Sequence, residues 1–272
     1  MASIRRVISR PAVLLYVGVI VASAAIGLVL SSAGRSRPDP PAAAAEQAFS
    51  LPAPRTGFAI PKPRTLSDPA GETRWAPVLE ASVARARPGA GSPAVNQVST
   101  LTPEGTANLV VVTAEVIRNG VDWVRASLPS VEDRGQSGWL PRRVLGGWSF
   151  VDTRAVIDRS RLDLTLFRAG RVILRTPVGI GTTTDPTPAG RFYVRDRLTK
   201  FASPTYGPLA FGTSARAPYL TDWPDGGYIG IHGTDEPELI PGRISHGCIR
   251  LTNSAILKLG RLMPVGTPVI VQ

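Results

Sequence analysis

One cysteine and two histidines are all that the chain holds of these residue types, and they fall together between positions 232 and 248. They stand in His232-Gly233-Thr234 and in Ser245-His246-Gly247-Cys248-Ile249-Arg250. A thiol with imidazoles nearby and no second cysteine to pair with reads as a nucleophile. An unperturbed thiol titrates at about 8.5, so it needs a base or positive surroundings to act near neutral pH. His232, His246, Arg250 and the start of a following helix can supply both. Gly247 permits a tight turn, which leaves the N–H groups of Gly247 and Cys248 to point at a developing oxyanion, and acyl transfer is the reaction class that uses such a hole. A zinc hydrolase is the chemical rival, with His232, His246 and Cys248 as ligands and Asp235 or Glu236 conscripted as base. A catalytically silent binding module is a third reading.

These residues need elements to hold them. Tyr228 to His232 alternates, so as a strand it turns Ile229 and Ile231 to one face and Tyr228, Gly230 and His232 to the other. Gly230 leaves space beside the imidazole. Cys248 sits in a glycine turn shortly before a predicted helix from Asn253 to Met263, in which Ile256, Leu259 and Met263 share a face. Further strands are predicted over 162–167, 172–175, from Arg191, and over 267–271, with a turn cluster at Asp185 to Gly190. Lys200 to Gly226 reads as a long aromatic loop carrying Phe201, Tyr206, Phe211, Tyr219 and Trp223, and loops of that length tend to be functional.

Upstream, valine-rich runs on either side of Asn119-Gly120 predict a hairpin over 109–128. With Gly138-Trp139-Leu140-Pro141 they form a compact β unit, residues 96–147, that resembles bacterial SH3-like barrels. Residues 35–95 are rich in Pro, Ala and Arg and read as a semi-rigid linker, with room for a short helix around Thr73 to Arg85. Before them, Arg5, Arg6 and Arg10 precede an uncharged apolar run from Ala12 to Leu30, about nineteen residues and close to the length that spans a bilayer. Residues 1–34 are therefore expected to be a signal anchor, or a cleaved signal peptide, with residues 35–272 outside the membrane. The formal charge of +11 comes almost wholly from scattered arginines. No nucleic-acid module accompanies it, so an anionic surface such as lipid or cell-wall polymer suits it better than nucleic acid.

The two segments His-Gly-Thr and Ser-His-Gly-Cys-Ile-Arg-Leu resemble the signature of the L,D-transpeptidase catalytic domain, the YkuD-type family. Pro186-Thr187-Pro188-Ala189-Gly190-Arg191-Phe192 matches that family's turn, and Gly266-Thr267-Pro268-Val269 is also typical of it. The resemblance implies a mainly β, sandwich-like catalytic domain with short helices over 148–272, needing no metal or cofactor. It implies Cys248 as the nucleophile on a peptidoglycan stem peptide, attacking between the third residue and a terminal D-alanine. His232 would be the base, held by the Gly233 carbonyl; Ser245, His246 and Gly247 would shape the turn. Arg250 would bind a substrate carboxylate, and Tyr219 and Tyr228 would wall the groove under a lid formed by residues 200–226. A second stem's amine would complete a 3-3 cross-link; water instead would make an L,D-carboxypeptidase. Carbapenem-type β-lactams are implied as covalent inhibitors.

Overall fold

Period-two patterning runs through most of the chain, and the computed structural model is built accordingly of strands. It describes residues 62–68, 71–131, 136–200, 203–217 and 227–272. The apolar run over 12–30 lies outside them, and among the described residues no helix is long and apolar enough to cross a membrane.

The first nine strands are β1 (Arg64–Thr65), β2 (Thr73–Pro77), β3 (Ser82–Arg85), β4 (Ala94–Val98), β5 (Leu109–Arg118), β6 (Val121–Ser127), β7 (Ser130–Val131), β8 (Ser137–Pro141) and β9 (Ser149–Val151). All except β7 form one sheet in the order β4-β3-β8-β6-β5-β2-β9, with β1 added on β5. The predicted hairpin is there: Asn119 and Gly120 take φ values of 52° and 73°, the positive pair that a two-residue turn between right-twisted strands requires. The linker expected over 35–95 is corrected from residue 64 onward, as is the helix expected within it; residues 35–61 lie outside the described residues. Residues 64–98 carry four strands, and Thr73 to Arg85 is two of them. Thr73 and Ala76 are buried there, so arginines and prolines between buried small residues mark edge-rich strands, not a tether. The upstream unit accordingly extends over 64–151 and not 96–147.

The remaining strands are β10 (Thr153–Asp158), β11 (Asp163–Arg168), β12 (Arg171–Pro177), β13 (Gly179–Gly181), β14 (Gly190–Leu198), β15 (Ala210–Arg216), β16 (Tyr228–His232), β17 (Gly242–Ser245), β18 (Ile249–Arg250) and β19 (Pro268–Val271), with one helix, α1 (Asn253–Leu262), before β19. They make a sheet in the order β12-β11-β10-β19-β14-β15-β16-β18-β13-β17, joined at β15 by β7 from upstream. Leu164 and Leu166 of β11, Ile229 and Ile231 of β16, and Ile256 and Leu259 of α1 bury into one core, so strands from both halves of the sheet share an interior with the helix. The helix starts where Thr252 accepts a hydrogen bond from the Ala255 N–H at 3.3 Å, which satisfies one of the four free donors of the first turn.

The expected lid over 200–226 is also corrected in part. Its middle is β15, buried between β14 and β16. Small residues hid it: Ala210, Gly212, Ser214 and Ala215 give little apolar alternation, and only Phe211 carries bulk. Gly212 is required, because a Cβ there would run into the Asp196 carboxylate, whose Oδ1 accepts from the Gly212 N–H at 2.9 Å. Phe201, Tyr219 and Trp223 lie outside the described residues.

Candidate active site

Pairing of β16 with β18 is parallel, in the register Ile231 to Ile249 and His232 to Arg250. That register sets Cys248, just ahead of β18, beside Gly230. The Gly230 N–H donates to the Cys248 Sγ at 3.3 Å. A Cβ at position 230 would lie 3.6 Å from the His232 ring and 3.9 Å from Sγ, so the missing side chain is the space between imidazole and thiol. Both groups line one cavity with Tyr206, Tyr228 and Phe211.

His232 is on the strand face turned away from the core, as its alternation predicts, but it is not exposed: only 2% of it is accessible. The Tyr206 ring meets it edge-on with centroids 4.9 Å apart. Its Nδ1 lies 2.6 Å from the Gly233 carbonyl oxygen. A carbonyl can only accept, so Nδ1 carries the proton and Nε2 of the neutral ring holds the free lone pair that a base needs. Burial pulls the imidazolium down to about 4, against the opposing pull of the Gly233 carbonyl, and the Arg250 charge lowers it further. Burial likewise pushes the Cys248 thiol up, with the Gly230 N–H and Arg250 working the other way. The resting pair is thus thiol and neutral imidazole, not thiolate and imidazolium.

The loop after His232 is fixed from the helix. Asn253, the first residue of α1, accepts from the Thr234 N–H at 3.0 Å, and a Cβ on either Gly233 or Gly207 would collide with its Oδ1. The Leu251 N–H reaches the His232 carbonyl at 2.8 Å.

The thiol turn is fastened at three points. Ser245 Oγ donates to the Cys248 carbonyl at 2.6 Å and accepts from the Gly247 N–H at 3.1 Å. Thr187 Oγ1 donates to the Gly247 carbonyl at 2.8 Å and accepts from the Gly181 N–H at 2.9 Å. The Thr182 N–H reaches the Ser245 carbonyl at 2.9 Å. Gly247 itself has φ of 117°, a backbone that side chains rarely adopt. Two sequence expectations change here. The Gly247 N–H is committed to Ser245 and is not an oxyanion donor, whereas the Cys248 N–H has no acceptor among the described residues. His246, expected to help shape the turn, is exposed and makes no hydrogen bond among them, so the bonds that shape the turn are those of Ser245.

Arg250 approaches both reactive groups, but its Nη1 is bonded to Glu236 Oε2 at 2.9 Å, and its buried Nε has no partner. A bidentate grip on a substrate carboxylate would need the Glu236 bond to open. Tyr228 does wall the cavity, with the Arg195 guanidinium 3.8 Å over its ring; Tyr219 lies outside the described residues. No cluster of three or more His, Cys, Asp or Glu among the described residues is arranged to hold a metal ion, which leaves the zinc trio unassembled. Thr187 and Asn253 are the functional residues that sequence reasoning passed over. The family-like turn around Thr187 was visible, but not that its hydroxyl reaches a carbonyl sixty residues away.

The sequence model of the L,D-transpeptidase catalytic domain (YkuD) matches residues 152–271. The protein YqjB of Bacillus subtilis (strain 168) is 30% identical over 128 residues, covering 44% of this chain and 71% of that protein. The YkuD protein of the same organism is 32% identical over 109 residues, covering 40% of this chain and 59% of its own length. The chain thus matches less than two thirds of that relative. A solved catalytic domain of an Enterococcus faecium L,D-transpeptidase is 27% identical with a TM-score of 0.33, covering 44% of this chain and 97% of that domain. Through residues 152–271 the chain belongs to the L,D-transpeptidase catalytic domain family of YkuD type.

Proposed function

We propose that the chain is a peptidoglycan L,D-transpeptidase that works through a thioester on Cys248. The observation that carries this reading is the orientation of His232. With Nδ1–H spent on the Gly233 carbonyl at 2.6 Å, the remaining nitrogen can only accept, and it shares a cavity with the one thiol of the chain. As a stem peptide enters, His232 Nε2 takes the thiol proton and Sγ attacks the carbonyl of the third residue. The Cys248 N–H, without another acceptor among the described residues, supports the oxyanion. Collapse of the adduct expels D-alanine, whose amine takes the proton back from His232. The side-chain amine of a second stem then attacks the thioester, giving a 3-3 cross-link and restoring the thiol.

Generating the thiolate only in the presence of substrate follows from the desolvation that keeps both groups neutral. A neutral thiol is a poor target for oxidation and alkylation, and the proton moves when the substrate completes the site. Family membership supports the reaction class, and the +11 charge suits a wall polymer that bears carboxylates. The reading places the catalytic sheet on the wall side of the plasma membrane, tethered through the apolar run at 12–30, with the β unit expected to be SH3-like over 96–147 ahead of it. Carbapenem-type β-lactams, whose strained carbonyl mimics the donor, are expected to acylate the same sulfur.

The test is incubation with purified tetrapeptide muropeptide, with separation of products. Cross-linked dimer plus free D-alanine supports the reading, and trimmed tripeptide alone marks a carboxypeptidase. Turnover of Cys248→Ser at the native rate would exclude Cys248 as nucleophile.

A further inference from the structure

Glu104 belongs to the upstream sheet, in the turn between Thr102 and Thr106, yet it lines the cavity that holds Cys248 and His232. Every other residue described as lining that cavity comes from position 198 onward. The Glu104 Oε2 accepts from Arg195 Nη2 at 2.8 Å, with the Arg195 side chain buried and that of Glu104 largely covered. The same Nη2 lies 3.8 Å from Asp196 Oδ2. Beyond this pair the Arg195 guanidinium covers the face of Tyr228 at 3.8 Å, and Arg216 stands 5.2 Å from the same ring. Tyr228 is itself a wall of the thiol cavity.

A second path starts from the same turn. Thr106 Oγ1 donates to Asp196 Oδ2 at 3.3 Å, and Asp196 Oδ1 holds the Gly212 N–H at 2.9 Å. Gly212 pairs with Gly230 across β15 and β16, and Gly230 donates to the thiol. The upstream turn is thus linked to the reactive sulfur through two connected sets of contacts. One buried guanidinium between two carboxyl groups gains little stability, because desolvation offsets most of the attraction; what such a pair does provide is a fixed geometry. Its planar fork and ring contact are the features that hold a neighbouring side chain in place.

We propose that the upstream sheet completes the active site: Glu104 is a positioning residue that, through Arg195, sets Tyr228 as the wall of the cavity where Cys248 and His232 meet. Without Glu104 the guanidinium keeps, among the described residues, only Asp196 as counter-charge and turns toward it, leaving the Tyr228 ring. The wall loosens, the thiol becomes more accessible, and the stem peptide loses a surface against which it is held. The kinetic consequence rests on the acyl-transfer reading; the geometric one does not.

The experiment compares the full chain with Glu104→Ala, Glu104→Gln and, as an interface control, Tyr193→Phe. Tyr193 tethers the two sheets through different bonds, its hydroxyl facing the Leu109 and Ser127 carbonyls at 3.5 and 3.3 Å, and losing that hydroxyl leaves the Glu104–Arg195 pair in place. The readouts are Tm, the rate of Cys248 labelling by iodoacetamide followed by mass, and KM and kcat for D-alanine release from a tetrapeptide stem. Glu104→Ala is expected to speed labelling about tenfold and to raise KM by a similar factor with a smaller change in kcat. Glu104→Gln, which keeps an acceptor for Nη2, falls between it and the wild type. Tyr193→Phe lowers Tm and moves neither labelling nor KM. The proposal is overturned if Glu104→Ala matches the wild type in labelling and KM, or if Tyr193→Phe shifts them as much. Should the alanine variant not fold, a glutamine variant identical to the wild type in both readouts overturns it equally. Faster labelling in Glu104→Ala alongside a wild type that releases no D-alanine would refute the acyl-transfer reading and leave the positioning role standing.

Discussion

At the scale of single residues, the thiol and the imidazole are held neutral by burial, and this has measurable consequences. Burial brings the His232 pKa down to about 4, so the unfolded chain binds a proton that the folded one refuses. Stability therefore falls as pH drops from the ordinary histidine value of about 6.5 toward 4, by up to about 1.4 kcal/mol per pH unit. Cys248, pushed up, gives the opposite limb: stability falls as pH rises past the ordinary thiol value of about 8.5. Denaturant midpoints across this range should form a plateau near neutrality, and the acid limb should shrink in His232→Gln. A midpoint that is flat between pH 7 and 4 in the wild type would contradict the buried neutral imidazole. Gly230 offers a second check. A methyl group there meets only ordinary contacts, so Gly230→Ala should fold with nearly native Tm. It would nonetheless fill the gap between ring and sulfur, and D-alanine release should fall by on the order of a hundredfold.

At the scale of elements, the legibility of the sequence divides by how local the signal is. Rare residue types in short motifs pointed to Cys248, His232 and Gly233 directly, and the alternation of Tyr228 to His232 gave the right face for the imidazole. The hairpin at Asn119-Gly120 and the helix with Ile256 and Leu259 on one side were equally readable, because turn chemistry and helical period are written in neighbouring positions. What stayed hidden depends on distant partners. Strands of small residues such as Ala210 to Arg216 look like loop until flanking strands cover them, and β2 and β3 were masked by arginine and proline. The commitment of the Gly247 N–H to Ser245 could not be foreseen from the glycine itself. Nor could the role of Thr187, whose hydroxyl bonds both the Gly181 N–H and the Gly247 carbonyl. Thr187→Val keeps the shape and strands those two buried groups, so it should cost about 1–3 kcal/mol of stability by chemical denaturation. Thr187→Ser, which keeps the hydroxyl, should recover most of that loss; equal costs for the two variants would show that the hydroxyl does not hold the turn.

For the whole molecule, the upstream sheet is a structural neighbour of the site and not a detached spacer. Ser130 of β7 pairs with Ala215 of β15, Tyr193 packs against Leu109 and Val111, and a side chain on Gly266 would collide with Trp75. A fragment beginning at Asn96 would remove β1 to β3, including the strand between β5 and β9 and the one between β8 and β4. Such a fragment should melt well below one beginning at Lys62, as read by circular dichroism; equal Tm values would mean that those strands contribute nothing to the sheet. The central claim, that Cys248 carries the acyl group, is tested most directly by the intact mass of the full chain quenched in acid during turnover of a tetrapeptide stem. The account predicts an adduct equal to the stem less D-alanine, located on Cys248 and absent from Cys248→Ser. D-alanine release with no adduct on Cys248, undiminished in the serine variant, would contradict it.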